Sequence, residues 1–93
     1  MKLTFEWDPR KAAHNLRKHH VSFGEAATAF GDKLSVTFAD PDHSEEEDRC
    51  ITIGLSRRDR LLIVSHADRG DRIRIISARV TTRSERNIYE EKS

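Results

Sequence analysis

Three strand-like segments follow one another in the second half of the chain, and they constrain the fold more than any other feature. Residues 49–55, 61–66 and 71–80 are rich in Ile, Leu and Val, and only residues 56–60 and 67–70 separate them. Connections this short join neighbouring antiparallel strands. The sequence therefore predicts an antiparallel meander of three strands.

A helix over residues 9–19 is predicted by the Asp8-Pro9 pair. Asp accepts hydrogen bonds from the unpaired amides of a first turn, and Pro at the first helical position removes no bond that the helix needs. Spacing places Ala12, Ala13 and Leu16 on the inward face of this helix.

A second helix begins at Ser22, where Ser22 and Glu25 have the spacing of a capping box, and Val21 is placed to pack on Ala26. The helix is expected to end near Phe30, because Gly31 can adopt the left-handed conformation that often follows a last turn. Its inward positions include Phe23 and Ala26.

Further strands are predicted at residues 2–7 and 34–38, and a last helix over residues 82–91 begins with the capping box of Thr82 and Glu85. The expected architecture is α+β, with two N-terminal helices and a C-terminal helix packed on one face of an antiparallel sheet. The length of 93 residues and the hydrophobic content of 35% predict a single domain over residues 1–93.

Strict alternation along residues 71–80 assigns each side chain to a face of the sheet. One face would carry Arg72 and Arg74 together with Ala78, and the other would carry Ile75 and Arg79. Each face therefore combines apolar residues with Arg, and the pattern separates Arg74 from Arg79.

The charge is distributed unevenly along the chain, although the net charge is only +1. Residues 1–48 carry 6 Lys and Arg against 10 Asp and Glu, a net charge of −4, whereas residues 49–93 carry 11 against 6, a net charge of +5. Most of the later cations are Arg, whose planar guanidinium suits phosphate. Two interpretations stay open, a solvated surface with salt bridges and a surface that binds an anionic polymer such as nucleic acid.

Several classes of protein are excluded by what the sequence lacks. The single Cys50 cannot form an internal disulfide, and the longest apolar run, residues 61–64, is too short for a membrane span. The adjacent His19 and His20 diverge on a helix, and Glu45 stands where a calcium loop needs Gly. We therefore expect no metal, no cofactor and no membrane association, and a reducing, cytoplasmic setting.

The remaining chemistry is metal-free acid–base cleavage of a phosphodiester, which needs a base, an acid and cations for the transition state. The candidates are Arg74 and Arg79 on the basic strand, His66 at the end of the neighbouring strand, Lys18 and His19 at the end of the first helix, and Glu85 and Tyr89 on the last helix.

Each candidate also has a structural interpretation. Glu85 fits its capping box, Tyr89 fits a half-buried core position, and Lys18 and His19 fit the negative end of a helix dipole. His66 is equally consistent with a surface position at a strand end. Arg79 requires an anionic partner, which is either Glu85 or a phosphate.

The ordered motifs of the chain resemble those of the BrnT toxins of bacterial type II toxin–antitoxin systems. The resemblance spans residues 3–91 and depends on the combination rather than on any one motif. Its residues are Phe5-Glu6-Trp7-Asp8, Lys11, Asn15, Lys18-His19, Val21-Ser22-Phe23, Glu25-Ala26, Arg74-Ile75-Ile76-Ser77-Ala78-Arg79, Thr82, Glu85 and Tyr89.

The resemblance implies a RelE-like ribonuclease fold, RNA cleavage that inhibits translation and growth, and neutralisation by a BrnA-type antitoxin. Operator DNA would be bound only through the antitoxin complex. The implied catalytic residues are Arg74, Arg79, Glu85 and Tyr89, with His66 added, and the implied RNA-binding residues are Lys18, His19 and Arg72.

The resemblance leaves the general base and the general acid unassigned. The acidic residues 40–48 are a candidate contact for a basic part of the antitoxin but are more typical of a solvated loop. Two alternative functions also stay open: a non-catalytic module with the same fold that binds RNA or antitoxin, and a purely structural adaptor.

Overall fold

The computed structural model describes residues 3–43 and 48–92, which form a mixed α+β fold. The strands are β1 (Thr4–Glu6), β2 (Val36–Ala39), β3 (Arg49–Leu55), β4 (Leu61–Arg69) and β5 (Arg72–Val80); the helices are α1 (Pro9–His19), α2 (Phe23–Thr28) and α3 (Arg83–Lys92), with 3₁₀ turns at Ala29–Gly31 and Pro41–His43.

The predicted meander of β3, β4 and β5 is confirmed, and the strand order of the sheet is β1-β5-β4-β3-β2. The first strand lies parallel to the fifth, and the other pairs are antiparallel.

The main core lies between α2 and one face of the sheet. Apolar side chains fill it with almost no exposure to solvent, and the ring of Trp7 packs edge-on against Phe23 at 6.0 Å between centroids. Burial of these apolar surfaces drives the packing of helix on sheet. The cluster consists of Val21, Phe23, Ala26, Leu62, Val64, Ile75 and Ala78.

Both predicted N-terminal helix starts are present, but the second differs in its chemistry. Asp8 accepts a hydrogen bond from the Arg10 amide, and the Ser22 hydroxyl accepts one from the Glu25 amide. The Glu25 carboxylate does not return to the amide of Ser22. It is buried and accepts hydrogen bonds from Ser56 Oγ and Arg60 Nε, which ties α2 to the β3–β4 turn.

Two local predictions about the helices are wrong. Leu16 is 50% exposed and Ala13 is exposed, because α1 presents the polar Asn15 to the sheet instead. Gly31 is not left-handed: α2 passes into a 3₁₀ turn, and Gly70 in the β4–β5 turn is the glycine with positive φ among the described residues.

A β-bulge in β5 overturns the predicted division of its two faces. Ser65 pairs with Ser77 while the next residue, His66, pairs with Ile75, so Ile76 is an extra residue without a cross-strand partner. An extra residue reverses the alternation beyond it. Arg74 therefore shares a face with Arg79, and Ile75 shares the other face with Ala78.

The alternation of side chains beyond the bulge also places α3 on the side of the sheet opposite α1 and α2. Ala78 belongs to the core beneath α2, so Arg79 points to the other side, where it pairs with Glu85 of α3. The expectation that all three helices cover one face is wrong, and the Arg79 face is covered only in part. None of the helices in residues 3–43 and 48–92 is long and apolar enough to cross a membrane.

Candidate active site

A cleft of about 320 Å³ opens on the sheet face that carries Arg79. Its floor is formed by side chains of β3, β4 and β5, and its walls come from the end of α1, the 3₁₀ turn after β2 and the beginning of α3. The lining residues are His19, Asp40, Asp42, His43, Ile51, Ile63, Ser65, Ser77, Ala78, Arg79 and Glu85.

Arg79 and Glu85 form a bidentate ion pair at one wall of the cleft. Arg79 Nη1 and Nη2 donate to Glu85 Oε1 and Oε2 at 2.8 Å each. The hydrogen bonds from Arg79 hold the pKa of the Glu85 carboxyl below its usual value, and those to Glu85 raise the pKa of the guanidinium. Both groups are therefore charged at neutral pH.

Glu85 also completes the predicted capping box. The amide of Thr82 donates to Glu85 Oε1 at 2.8 Å, and the Thr82 hydroxyl accepts from the Glu85 amide at 3.3 Å. The two interpretations of Glu85, helix cap and partner of Arg79, hold at the same time.

His19 lies at the last position of α1 and lines the cleft together with Arg79. Partial burial lowers the pKa of its imidazole, and the positive charges of Lys18 and Arg79 lower it further. A histidine with a pKa below 6.5 is mainly neutral at pH 7, so it can accept a proton. Among the candidates that line the cleft it has the protonation state required of a general base.

Asn15 holds the helix that carries His19 against the sheet. Its buried side-chain amide donates to the carbonyl oxygens of Ala78 at 2.8 Å and Val21 at 2.9 Å, and its Oδ1 accepts from the Ala78 amide at 3.1 Å. Asn15 and His19 are four residues apart and share a helix face. These three hydrogen bonds of Asn15 thus hold His19 next to β5, the strand that carries Arg79.

The turn after β2 contributes residues that were not among the catalytic candidates of the sequence. Asp40 is buried and accepts a hydrogen bond from the Asp42 amide, and both line the cleft with His43. The sequence analysis treated this region as an acidic loop and a candidate antitoxin contact, and residues 44–47 of that loop lie outside the described residues. Ser65 and Ser77 of the floor were also missed, and the apolar doublet Ile75-Ile76 was the only local signal of the bulge that turns Ser77 toward the cleft.

Arg72 and Arg74 lie on the same sheet face as Arg79, beyond the lining of the cleft. Each forms an ion pair with Glu6 of β1, at 3.4 Å and 3.5 Å respectively. Arg72 also faces Arg69 across β4 and β5. These arginines extend the positive surface of the sheet along β5 but do not touch the Arg79–Glu85 pair.

His66 is 1% exposed and lies on the opposite face of the sheet, beneath the helices. Its Nε2 contacts Thr52 Oγ1 and its Nδ1 contacts Asp68 Oδ1, both at 2.8 Å, and Phe30 packs edge-on against the ring. Burial lowers the pKa of the imidazole despite the Asp68 carboxylate. The structure therefore does not bring His66 to the cleft.

Tyr89 projects from α3 toward a different part of the molecule. Its hydroxyl donates to Asp32 Oδ2 at 2.6 Å, and this hydrogen bond raises the pKa of the phenol to about 12. Asp32 also accepts from the amides of Leu34 and Leu55. Tyr89 thus anchors the middle of α3 to the end of β3 and is not part of the cleft lining.

Within residues 3–43 and 48–92, no group of three or more His, Cys, Asp or Glu side chains is arranged to hold a metal ion. Cys50 is half-buried in β3, and burial raises the pKa of its thiol.

A family model described as "Ribonuclease toxin, BrnT, of type II toxin-antitoxin system" matches residues 7–85. The chain belongs to the BrnT family. The match includes all the lining residues of the cleft, from His19 to Glu85, and places the chain among ribonuclease toxins, with an RNA target and an antitoxin partner. A search of curated proteins found no match.

The crystal structure of the Brucella abortus ribonuclease toxin BrnT is similar to this chain, with a TM-score of 0.68 and 20% sequence identity. The alignment covers 88% of this chain and 100% of that one. The fold is therefore that of a BrnT toxin, and the fold expected from the resemblance is confirmed.

Proposed function

We propose that this BrnT-family chain is a metal-independent endoribonuclease and that the cleft between α1, α3 and the sheet is its active site. The observation that carries the proposal is the convergence of a neutral imidazole, His19, and a fixed guanidinium, Arg79, on one cleft. A base and a phosphate-binding cation side by side are what metal-free cleavage of RNA requires.

In the proposed reaction His19 accepts the proton of a ribose 2′-hydroxyl. The 2′-oxygen attacks the adjacent phosphorus, the bond from phosphorus to the 5′-oxygen breaks, and a 2′,3′-cyclic phosphate forms. His43, at the opposite wall of the cleft, is the group that we assign to donate a proton to the departing 5′-oxygen. Proton transfer by positioned imidazoles contributes roughly 10²–10⁴-fold in rate.

Arg79 has the role of stabilising the negative charge that develops on the phosphate oxygens. A guanidinium has five N–H donors; two of them are directed at Glu85 and a third, on Nη1, at the Val80 carbonyl oxygen at 3.4 Å, so two remain for a phosphate. Glu85 is ionised and accepts hydrogen bonds, which makes it a positioning residue for Arg79 rather than a proton donor. In this proposal Arg74 and Arg72 bind phosphates of the RNA further along the sheet.

The family match also supports a proposal for the biological setting. We infer that cleavage inhibits translation and growth in the cytoplasm, that a BrnA-type antitoxin neutralises the toxin, and that operator DNA is bound only through the complex. The ordered motifs and the type II family match support this assignment.

A non-catalytic module that binds RNA or antitoxin is the second candidate. The observation that favours it is that the Glu85 carboxylate is fully engaged, by Arg79 and by the Thr82 amide, as in a structural ion pair. This candidate predicts that RNA is bound and never cut.

The deciding experiment incubates the purified protein with total RNA, with and without EDTA, and maps the ends of the products. Equal cleavage under both conditions with 2′,3′-cyclic phosphate or 3′-phosphate ends is the expected result. Cleavage that EDTA abolishes would overturn the metal-free mechanism. If free RNA stays intact, the assay is repeated on translating ribosomes, and intact RNA there as well would favour the binding module.

A further inference from the structure

A second groove of about 320 Å³ runs between α1 and β5 and adjoins the cleft. His19 and Ser77 line both cavities, so the two form one continuous depression. The other residues of the groove are Arg10, Lys11, His14, Asn15, Lys18 and Ile76.

The groove is strongly cationic. Its positive charge comes from Arg10, Lys11 and Lys18, and Lys11 and Lys18 are seven residues apart, which places them on one face of α1. Lys11 and Lys18 are exposed at its rim, and among the described residues that line the groove none is Asp or Glu. Such a channel attracts a polyanion.

The cleft is asymmetric with respect to this charge. Its far wall carries the carboxylates Asp40 and Asp42 beside His43, whereas its near wall opens into the cationic groove. For the part of a nucleic acid strand that extends away from Arg79 and His43, the path along α1 is therefore electrostatically more favourable than the path across the turn after β2.

The bulge gives the groove an apolar position as well. Ile76 has no cross-strand partner, lines the groove and is half-buried. A groove that combines cations at its rim with an apolar side chain offers contacts for a phosphate and for a base. The volume is at the lower end of those that hold small ligands, so it suits a nucleotide of a single strand and not a double helix.

We propose that the groove between α1 and β5 binds single-stranded RNA on one side of the scissile bond, with Lys11 and Lys18 contacting its phosphates. This inference depends on the proposed ribonuclease function, because it assigns the path of the substrate into the same cleft.

The test measures binding of a single-stranded RNA oligonucleotide that carries 2′-O-methyl groups throughout and so cannot be cleaved. The salt dependence of affinity is compared for the wild type, for Lys11→Ala with Lys18→Ala, and for Lys33→Ala with Arg57→Ala. The control pair removes the same number of charges from exposed sites outside the groove. Thermal unfolding of all three proteins checks that they are folded.

Loss of two phosphate contacts reduces the magnitude of the negative slope of log affinity against log salt concentration by about 1.4 in the groove variant and leaves the slope of the control unchanged. Equal slopes for the two double variants would overturn the groove, as would a wild type that does not bind the oligonucleotide. RNA cleavage by the wild type is scored separately, so loss of the groove proposal with cleavage intact leaves the proposed function in place.

Discussion

Arg79 and Glu85 are joined by two parallel hydrogen bonds of 2.8 Å across the junction between β5 and α3. The same carboxylate accepts the amide of Thr82 and caps the helix. One side chain thus determines both where α3 begins and how the guanidinium is oriented in the cleft. Charge-assisted bidentate pairs are among the stronger and more directional contacts in proteins.

Substitution of Arg79 tests the phosphate-binding role. Arg79→Ala is expected to lower the rate of RNA cleavage by about 10²-fold or more, because a donor aimed at the transition-state charge is lost. Arg79→Lys keeps the positive charge but loses the paired N–H donors of the guanidinium, so we expect an activity between those of the wild type and Arg79→Ala. Glu85→Gln is the matched variant that separates the ion pair from the helix cap, since Gln still caps α3 but no longer pairs with Arg79 as an anion. Full activity of Arg79→Ala in a folded protein would remove Arg79 from the site.

The pH profile of cleavage tests His19. The pKa of its imidazole lies below 6.5, so the neutral base predominates at pH 7 and cleavage falls as the pH decreases through that lowered value. Lys18→Ala removes a positive neighbour and is expected to shift the acidic limb of kcat/KM toward higher pH. His19→Gln should abolish the limb together with most of the activity. An unchanged limb in His19→Gln would assign it to another group.

Tyr89→Phe separates the anchoring of α3 from catalysis. The variant loses the hydrogen bond to Asp32 and should lower the free energy of unfolding by about 1–2 kcal/mol. Because Tyr89 is not part of the cleft lining, we expect kcat/KM close to that of the wild type at a temperature where both proteins are folded. A large fall in kcat with unchanged stability would show that the phenol takes part in the reaction.

His66 makes stability dependent on pH. The pKa of the buried imidazole is lowered, so below pH 6.5 the unfolded state binds more protons and the free energy of unfolding decreases as the pH falls. Urea unfolding at several pH values should give a flatter profile for His66→Gln than for the wild type. If that variant does not fold, an NMR titration of the wild-type imidazole gives the same information, and an ordinary or raised pKa would contradict the prediction.

Asn15→Ala tests the hydrogen bonds by which Asn15 holds α1 against β5. The change removes three hydrogen bonds and leaves buried backbone groups of Ala78 and Val21 without their partner, so we expect a loss of about 2–3 kcal/mol in the free energy of unfolding. Asn87→Ala on the exposed surface of α3 is the control and should change stability little. Equal stability of the two variants would show that α1 is held by other contacts.

Much of the local structure was predictable because it depends on short-range chemistry. The start of α1 at Pro9, the hydrogen bond from Glu25 to Ser22 and the box of Thr82 and Glu85 each involve residues within three or four positions of one another. The bounds of β3 also agree with the prediction. In contrast, Glu25 has the spacing of a capping box, yet its carboxylate binds Arg60, 35 residues away, and no local pattern reports that contact.

The sequence by itself determined the α+β class, the meander, the helix starts and the Arg-rich second half, since these follow from periodicity, capping and composition. The tertiary structure alone decided which candidates meet. Pairing with β4 makes Ile76 a bulge, which brings Arg74 and Arg79 to one face and leaves His66 buried on the other. The face of the sheet to which each side chain of a strand points depends on the register of that strand with its neighbour. That register is set by packing of the whole sheet rather than by the residues of the strand.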